Sequence, residues 1–236
     1  MKPLCIVDTC SLVFLHDIQM GNRSLHRWLW GEFNVAYSEW VWNEVEDNLN
    51  RMGKDKNAIK RNGKEYIVTF PVISTYERAL FGQDHHMKFE AGRCSACNNP
   101  IIKLQLYSPP LETLEDRGER HNLCLSLYEV IRTEYKQVIF LTDDYKARRK
   151  YVDTVFEDFP IGGIWTSLDF ILFLFLRYRD RIPLEVAENA IRDVIARVSG
   201  SEIGDHTEEA KRDWVERFSL YTKRARKINR FRGCVS

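Results

Sequence analysis

The chain has 236 residues, 44% of them hydrophobic and 29% charged. That composition excludes a disordered or low-complexity chain, and the length suffices to bury a core. The net charge is only +1, but residues 211–232 hold nine Lys/Arg against two Asp/Glu, leaving 26 against 32 elsewhere. Such asymmetry points to nucleic-acid contact or to a basic tail docked on an acidic body.

Asp8 breaks the only early apolar run, and the longest later one, Phe170 to Leu176, is too short to span a bilayer. A cytoplasmic protein with no membrane association and reduced thiols is expected. Six cysteines scattered over this length do not read as a disulfide framework.

The first element is a short apolar run, Leu4 to Val7, ending in Asp8. It reads as a buried strand that delivers Asp8 to a strand end, where ligands sit in open α/β sheets. Leu12, Leu15 and Ile18 then fall at helical spacing, and a second amphipathic stretch runs through Leu25, Trp28 and Leu29. Phe33 to Tyr37 is a strand candidate. Ser38 follows as an N-cap, with Glu39 at the positive end of the new helix. Val41, Val45 and Leu49 make one buried stripe, which sets Glu44 at its edge. Arg51 to Lys64 is polar and reads as a loop, Tyr66 to Phe70 as a strand, and Ser74 as a cap.

Residues 82–110 break the alternation and read as an insertion. Glu119 opens a helix with an apolar stripe through Leu123, Leu127 and Val130 or Ile131. Gln137 to Leu141 is a buried strand ending in Thr142-Asp143-Asp144, followed by a basic helix from Lys146 to Lys150. One more strand is expected at Thr154 to Phe156. Three helices should follow, at Thr166–Arg177, Pro183–Val198 and Thr207–Arg226.

Asp8, Glu44, Glu119, Asp143 and Asp144 thus fall at strand ends or on the helices beside them. A parallel sheet would bring them together. Two like unit charges about 4 Å apart, at an effective dielectric near ~20, repel by roughly 4 kcal/mol. Such a cluster persists if it is protonated or bridged by cations. Oxygen-only ligands suit Mg²⁺ or Mn²⁺, which serve phosphodiester hydrolysis. Taken singly, each carboxylate has a structural explanation, as a helix-dipole residue or a loop cap.

Four stretches in order resemble the PIN-domain (PilT N-terminus) family of metal-dependent ribonucleases. They are Ile6-Val7-Asp8-Thr9-Cys10-Ser11-Leu12, Ser38 through Glu44, Gly118-Glu119-Arg120-His121-Asn122, and Phe140 through Arg149. The resemblance implies a three-layer α/β/α sandwich around a parallel sheet of about five strands. It also implies hydrolysis of single-stranded RNA with one or two Mg²⁺ or Mn²⁺ ions, leaving a 5′-phosphate and a 3′-hydroxyl. Carried onto this chain, Asp8, Glu44, Glu119, Asp143 and Asp144 would be the catalytic and metal-binding residues. Which of Asp143 and Asp144 is the closer ligand stays open, and Asp116 is a further candidate. Thr9, Ser11, Asn122 and Thr142 would orient the carboxylates or water.

The chain departs from the compact family pattern in its Cys/His insertion and its helical C-terminal extension. The expected organisation is a nuclease domain over residues 1–178 and a basic helical extension over 179–236. In the insertion, Cys94 and Cys97 have the spacing of a zinc knuckle, with His85 and His86 as the nearest further ligands for one structural Zn²⁺. The alternative is a reduced loop with incidental cysteines. Cys10 stands near Asp8 with no evident general base, and both it and Cys124 read as packing residues.

Lys146, Arg148, Arg149 and Lys150 follow the acidic turn, and Arg224 and Lys227 could extend a cationic track for RNA. Trp214, Phe218 and Tyr221 read as residues that pack the tail onto the body. The leading reading is a toxin, defence or RNA-processing ribonuclease, with an inhibitory protein partner or a homodimer left open. The alternatives are a non-catalytic RNA-binding scaffold on the same fold and a Mg²⁺-dependent small-molecule phosphatase.

Overall fold

The computed structural model describes residues 2–54, 66–68, 118, 122–123, 125–126, 129, 138–144, 156, 162–178, 180–202 and 208–234. The protein is α/β. Five strands, β1 (Leu4–Val7), β4 (Asn34–Ser38), β5 (Tyr66–Val68), β6 (Val138–Leu141) and β7 (Gly162–Trp165), form one sheet in the order β5-β4-β1-β6-β7. All its pairings are parallel. The short strands β2 (Gln19–Met20) and β3 (Arg23–Ser24) form a separate antiparallel hairpin that turns at Gly21-Asn22. That hairpin escapes the helical reading of the N-terminal stretch, although its Gly-Asn dipeptide is a hairpin signal.

Six helices are described: α1 (Thr9–Asp17), α2 (Leu25–Glu32), α3 (Glu39–Arg51), α4 (Ser167–Arg177), α5 (Leu184–Glu202) and α6 (Glu208–Cys234). Their starts follow local chemistry. Ser38 accepts from the Val41 amide at 3.3 Å and caps α3, and Ser24 accepts from the Arg27 amide at 3.3 Å and caps α2. Thr166 and Asp169 cap α4 reciprocally, each side chain accepting from the other's backbone amide at 3.2 and 3.0 Å. The stripe of Val41, Val45 and Leu49 is buried.

All four residues of β1 are buried, so both faces of the strand are covered, as a parallel sheet requires. Cys5 and Val7 join Val35, Tyr37 and Leu141 in a core with α1, α2, α3, α4 and α5. By the alternation of a strand, Leu4, Ile6, Val138 and Phe140 belong to the other face. There Phe140 meets Phe156 edge-on at 5.9 Å. Cover on both faces is compatible with a three-layer arrangement.

Of the strand expected at Thr154 to Phe156, only Phe156 lies among the described residues, and it is helical; the fifth strand of the sheet is Gly162–Trp165. Of the two glycines that weaken the strand signal there, Gly162 has a steric reason. A Cβ on Gly162 would lie 1.7 Å from the Val138 carbonyl oxygen on β6. Residues of 179–236 also enter the main core: Ala187, Ala190, Ile191, Val194 and Ile195 of α5, and Ala225 of α6. Phe218 and Tyr221 pack against it, as expected of them, while the Trp214 side chain lies outside the described residues.

Glu32 and His26 are buried polar side chains on α2. Glu32 accepts from Arg177 Nε at 2.9 Å and from the Tyr178 hydroxyl, joining α2 to the end of α4. His26 lies 4.3 Å from Trp30 and 5.7 Å from His16, ring to ring, and its buried Nε2 lacks a hydrogen-bond partner among the described residues. Burial, assisted by His16 and Arg27, lowers its pKa to about 4.

The folded state therefore binds fewer protons at His26 than the unfolded chain, whose histidine titrates near ~6.5. Its contribution to stability is present above that value and is lost as pH falls towards about 4. Wild type should lose up to about 3 kcal/mol more than His26→Leu between about pH 7 and pH 4. Urea unfolding of both proteins at the two pH values checks this.

Candidate functional site

The described carboxylates converge at the first turn of α1. Asp8 ends β1 and caps that helix, its Oδ1 accepting from the Ser11 amide at 2.7 Å. The hydroxyl of the same Ser11 donates to Asp143 Oδ2 at 2.9 Å. One serine thus bridges two carboxylates from neighbouring strand ends. The Thr142 hydroxyl donates to Asp8 Oδ2 and accepts from the Asp144 amide at 3.1 Å. Thr9, one residue after Asp8, donates its hydroxyl to Glu44 Oε2. Trp40, one turn before Glu44 on α3, donates its indole N–H to Oε1 at 2.7 Å.

The position follows from the sheet. From β1 the chain proceeds to β4 and β5 on one side, and from β6 to β7 on the other. Asp8 and Asp143 therefore stand where the strand order reverses, at the carboxyl ends of β1 and β6. That crevice is where open α/β sheets bind ligands.

Burial raises the Asp8 pKa to about 7, against the opposing hydrogen bond from Thr142; Asp143 adds repulsion. Burial likewise raises Asp143, while Ser167 and Ser11 pull it down. Among the described residues, neither carboxylate is in an ion pair with Lys or Arg. Asp8 is almost fully buried, whereas Glu44, Asp143 and Asp144 keep some surface.

Of the candidates from sequence, Asp8, Glu44 and Asp143 are joined through Thr9, Ser11 and Thr142. Asp143, rather than Asp144, is the carboxylate that shares Ser11 with Asp8. Asn122 does something different. Its amide donates to the Val7 carbonyl at 2.9 Å and its oxygen accepts from the Ser38 amide at 3.3 Å, tying the ends of β1 and β4. Asn122→Leu leaves both buried backbone groups unpaired and should cost about 2–4 kcal/mol, read from the urea midpoint.

Gly118 is buried against α3, and a Cβ there would sit 3.0 Å from Glu44 Oε2. Glu119 lies outside the described residues, as do Asp116, Cys94, Cys97, His85, His86, Lys146, Arg148, Arg149 and Lys150. Arg224 and Lys227 are exposed on α6. Among the described residues, no group of three or more His, Cys, Asp or Glu side chains is arranged to hold a metal ion.

Ser167 is the contributor that sequence reasoning missed. Its amide donates to Asp143 Oδ1 at 2.9 Å, and its hydroxyl donates to Oδ2. The signal was a second hydroxyl residue beside the Thr166 cap, directly after a strand. Compared with protein-family models, with curated proteins and with solved structures, the chain matches none.

Proposed function

We propose that the protein is a metal-dependent ribonuclease with a PIN-like fold, hydrolysing phosphodiester bonds of single-stranded RNA. The observation that carries this reading is the buried Asp8–Ser11–Asp143 bridge at the point where the strand order reverses. Two carboxylates are held there at an energetic cost, and no cation among the described residues offsets it. Their hard oxygen donors fit Mg²⁺ or Mn²⁺. Asp8 and Asp143, bridged by Ser11, would hold the ion, with Glu44, Glu119 and Asp144 as the further candidate ligands. When bound, such an ion supplies charge neutralisation at the scissile phosphate and activates water.

The chain's own groups do the rest. Ser11 fixes Asp8 and Asp143 relative to each other. Thr142 and Ser167 orient one carboxylate each, and Thr9 and Trp40 aim Glu44. Hydroxyl donors of this kind set ligand orientation and hence affinity. A zinc knuckle at Cys94 and Cys97 belongs to the same proposal as a separate structural site.

The test is cleavage of end-labelled single-stranded RNA with Mn²⁺, Mg²⁺ or EDTA. Cutting that needs the metal and leaves 5′-phosphate ends is the expected result. No cutting with either metal, with RNA binding retained, would favour the non-catalytic scaffold.

A further inference from the structure

The helix α6 carries cations on two edges, and the fold treats them differently. On one edge Arg226 pairs with Glu188 of α5 at 2.7 Å. On the other, the Arg224 guanidinium lies over the Tyr221 ring, 4.9 Å from its centroid. Arg224 is exposed, and among the described residues no acid pairs with it.

Tyr221 is half-buried, and its hydroxyl donates to Asp169 Oδ1 at 3.2 Å. Asp169 is the third residue of α4 and completes the capping box with Thr166; its other oxygen accepts from the Thr166 amide at 3.0 Å and the Thr166 hydroxyl at 2.9 Å. The next residue, Ser167, holds Asp143. A continuous set of contacts therefore runs from Arg224 through Tyr221 and the α4 cap to Asp143. Asp169 is near enough to raise the Asp143 pKa by repulsion.

We propose that Arg224 binds a backbone phosphate of the substrate strand on the Asp143 side of the site, with Tyr221 as its positioning residue, which rests on the nuclease reading above. An acidic site must still admit a polyanion, so a cation beside it has a clear electrostatic use. A guanidinium stacked on an aromatic ring keeps its N–H edge free for phosphate oxygens while its position is restrained. Asp169 holds Tyr221 by the hydroxyl, so the platform is anchored to the same helix end that anchors Asp143.

The experiment measures binding of a fluorescein-labelled single-stranded RNA to the full chain in EDTA, across a salt series, by anisotropy. Without metal no cleavage is needed for the readout. Arg224→Gln should make the slope of log affinity against log salt shallower by about 1. Tyr221→Leu, which keeps an apolar side chain at this half-buried position, should do the same, and the double variant should add nothing further. Arg181→Gln removes one exposed charge beyond the far end of α4, about 16 Å away along that helix, and should leave the slope unchanged.

An unchanged slope in Arg224→Gln with normal wild-type binding would overturn the phosphate contact and leave the nuclease reading standing. Additive losses in the double variant would overturn the positioning role. No wild-type binding at any salt would remove the nucleic-acid reading of the site and this inference with it. Loss of slope in both variants, with wild-type RNA left uncut when metal is added, would uphold the contact while refuting the nuclease.

Discussion

Asp8→Asn should reduce metal-dependent RNA cleavage by at least about a hundredfold while leaving the melting temperature unchanged or higher. A hard cation contributes several kcal/mol to transition-state charge stabilisation, and each ~1.4 kcal/mol is a factor of ten in rate. Replacing a charged ligand by a neutral amide removes much of that. The fold should not suffer. Asparagine is an equally good N-cap, and its carbonyl can keep the Ser11 amide bond that Asp8 makes at 2.7 Å.

The amide nitrogen would then face Thr142, whose hydroxyl can accept instead of donate. The substitution also relieves the repulsion from Asp143 and the burial of a carboxylate. Gain of stability with loss of activity is the usual mark of a site held under strain for function. Single-turnover cleavage assays alongside thermal unfolding check both halves. Full activity in Asp8→Asn would refute the assignment of Asp8.

The second large effect is structural and reaches the site indirectly. Gly162→Ala should destabilise the protein by at least about 3 kcal/mol, because its Cβ would overlap the backbone of β6. The offending atom is the Val138 carbonyl oxygen, 1.7 Å away, and a backbone atom in a parallel ladder cannot turn aside. For a chain of this length, that loss corresponds to a fall of roughly 6–12 °C in melting temperature.

Displacing β7 would also disturb the site. Thr142 donates its amide to the Trp165 carbonyl at 2.9 Å, and β7 leads directly into Thr166 and Ser167, which anchor α4 and Asp143. Gly163→Ala is the control: a Cβ there meets only the Trp165 indole nitrogen, at 3.8 Å, an ordinary contact. Thermal unfolding of the two alanine variants side by side separates a steric cause from a general loss of glycine. Equal melting temperatures would show that β7 can move away from β6 without penalty.

What the sequence determined by itself is local. Leu4 to Val7 reads as a fully buried strand because four apolar residues in a row suit a strand covered on both faces. Ser38 reads as a helix start because its hydroxyl can meet an amide that a first turn leaves unpaired. Val41, Val45 and Leu49 mark a buried face by spacing alone. The α/β class follows from such units in alternation.

What only the tertiary structure decided is non-local. Thr142 meets Asp8 across 134 residues, and Ser11 meets Asp143 across 132, because β6 pairs with β1 rather than with β5, the described strand before it. Strand order reflects the packing of the whole sheet, so nothing near Asp8 announces its partner. The same holds for Ser167, which carries no signal of Asp143 in the sequence and meets it only because β7 pairs with β6. It holds for Tyr221, whose hydroxyl finds Asp169 only once α6 has docked on α4. The strand at Gly162–Trp165 was obscured for a related reason: glycine is weak in a strand by intrinsic preference, and only the closeness of Val138 makes it necessary there.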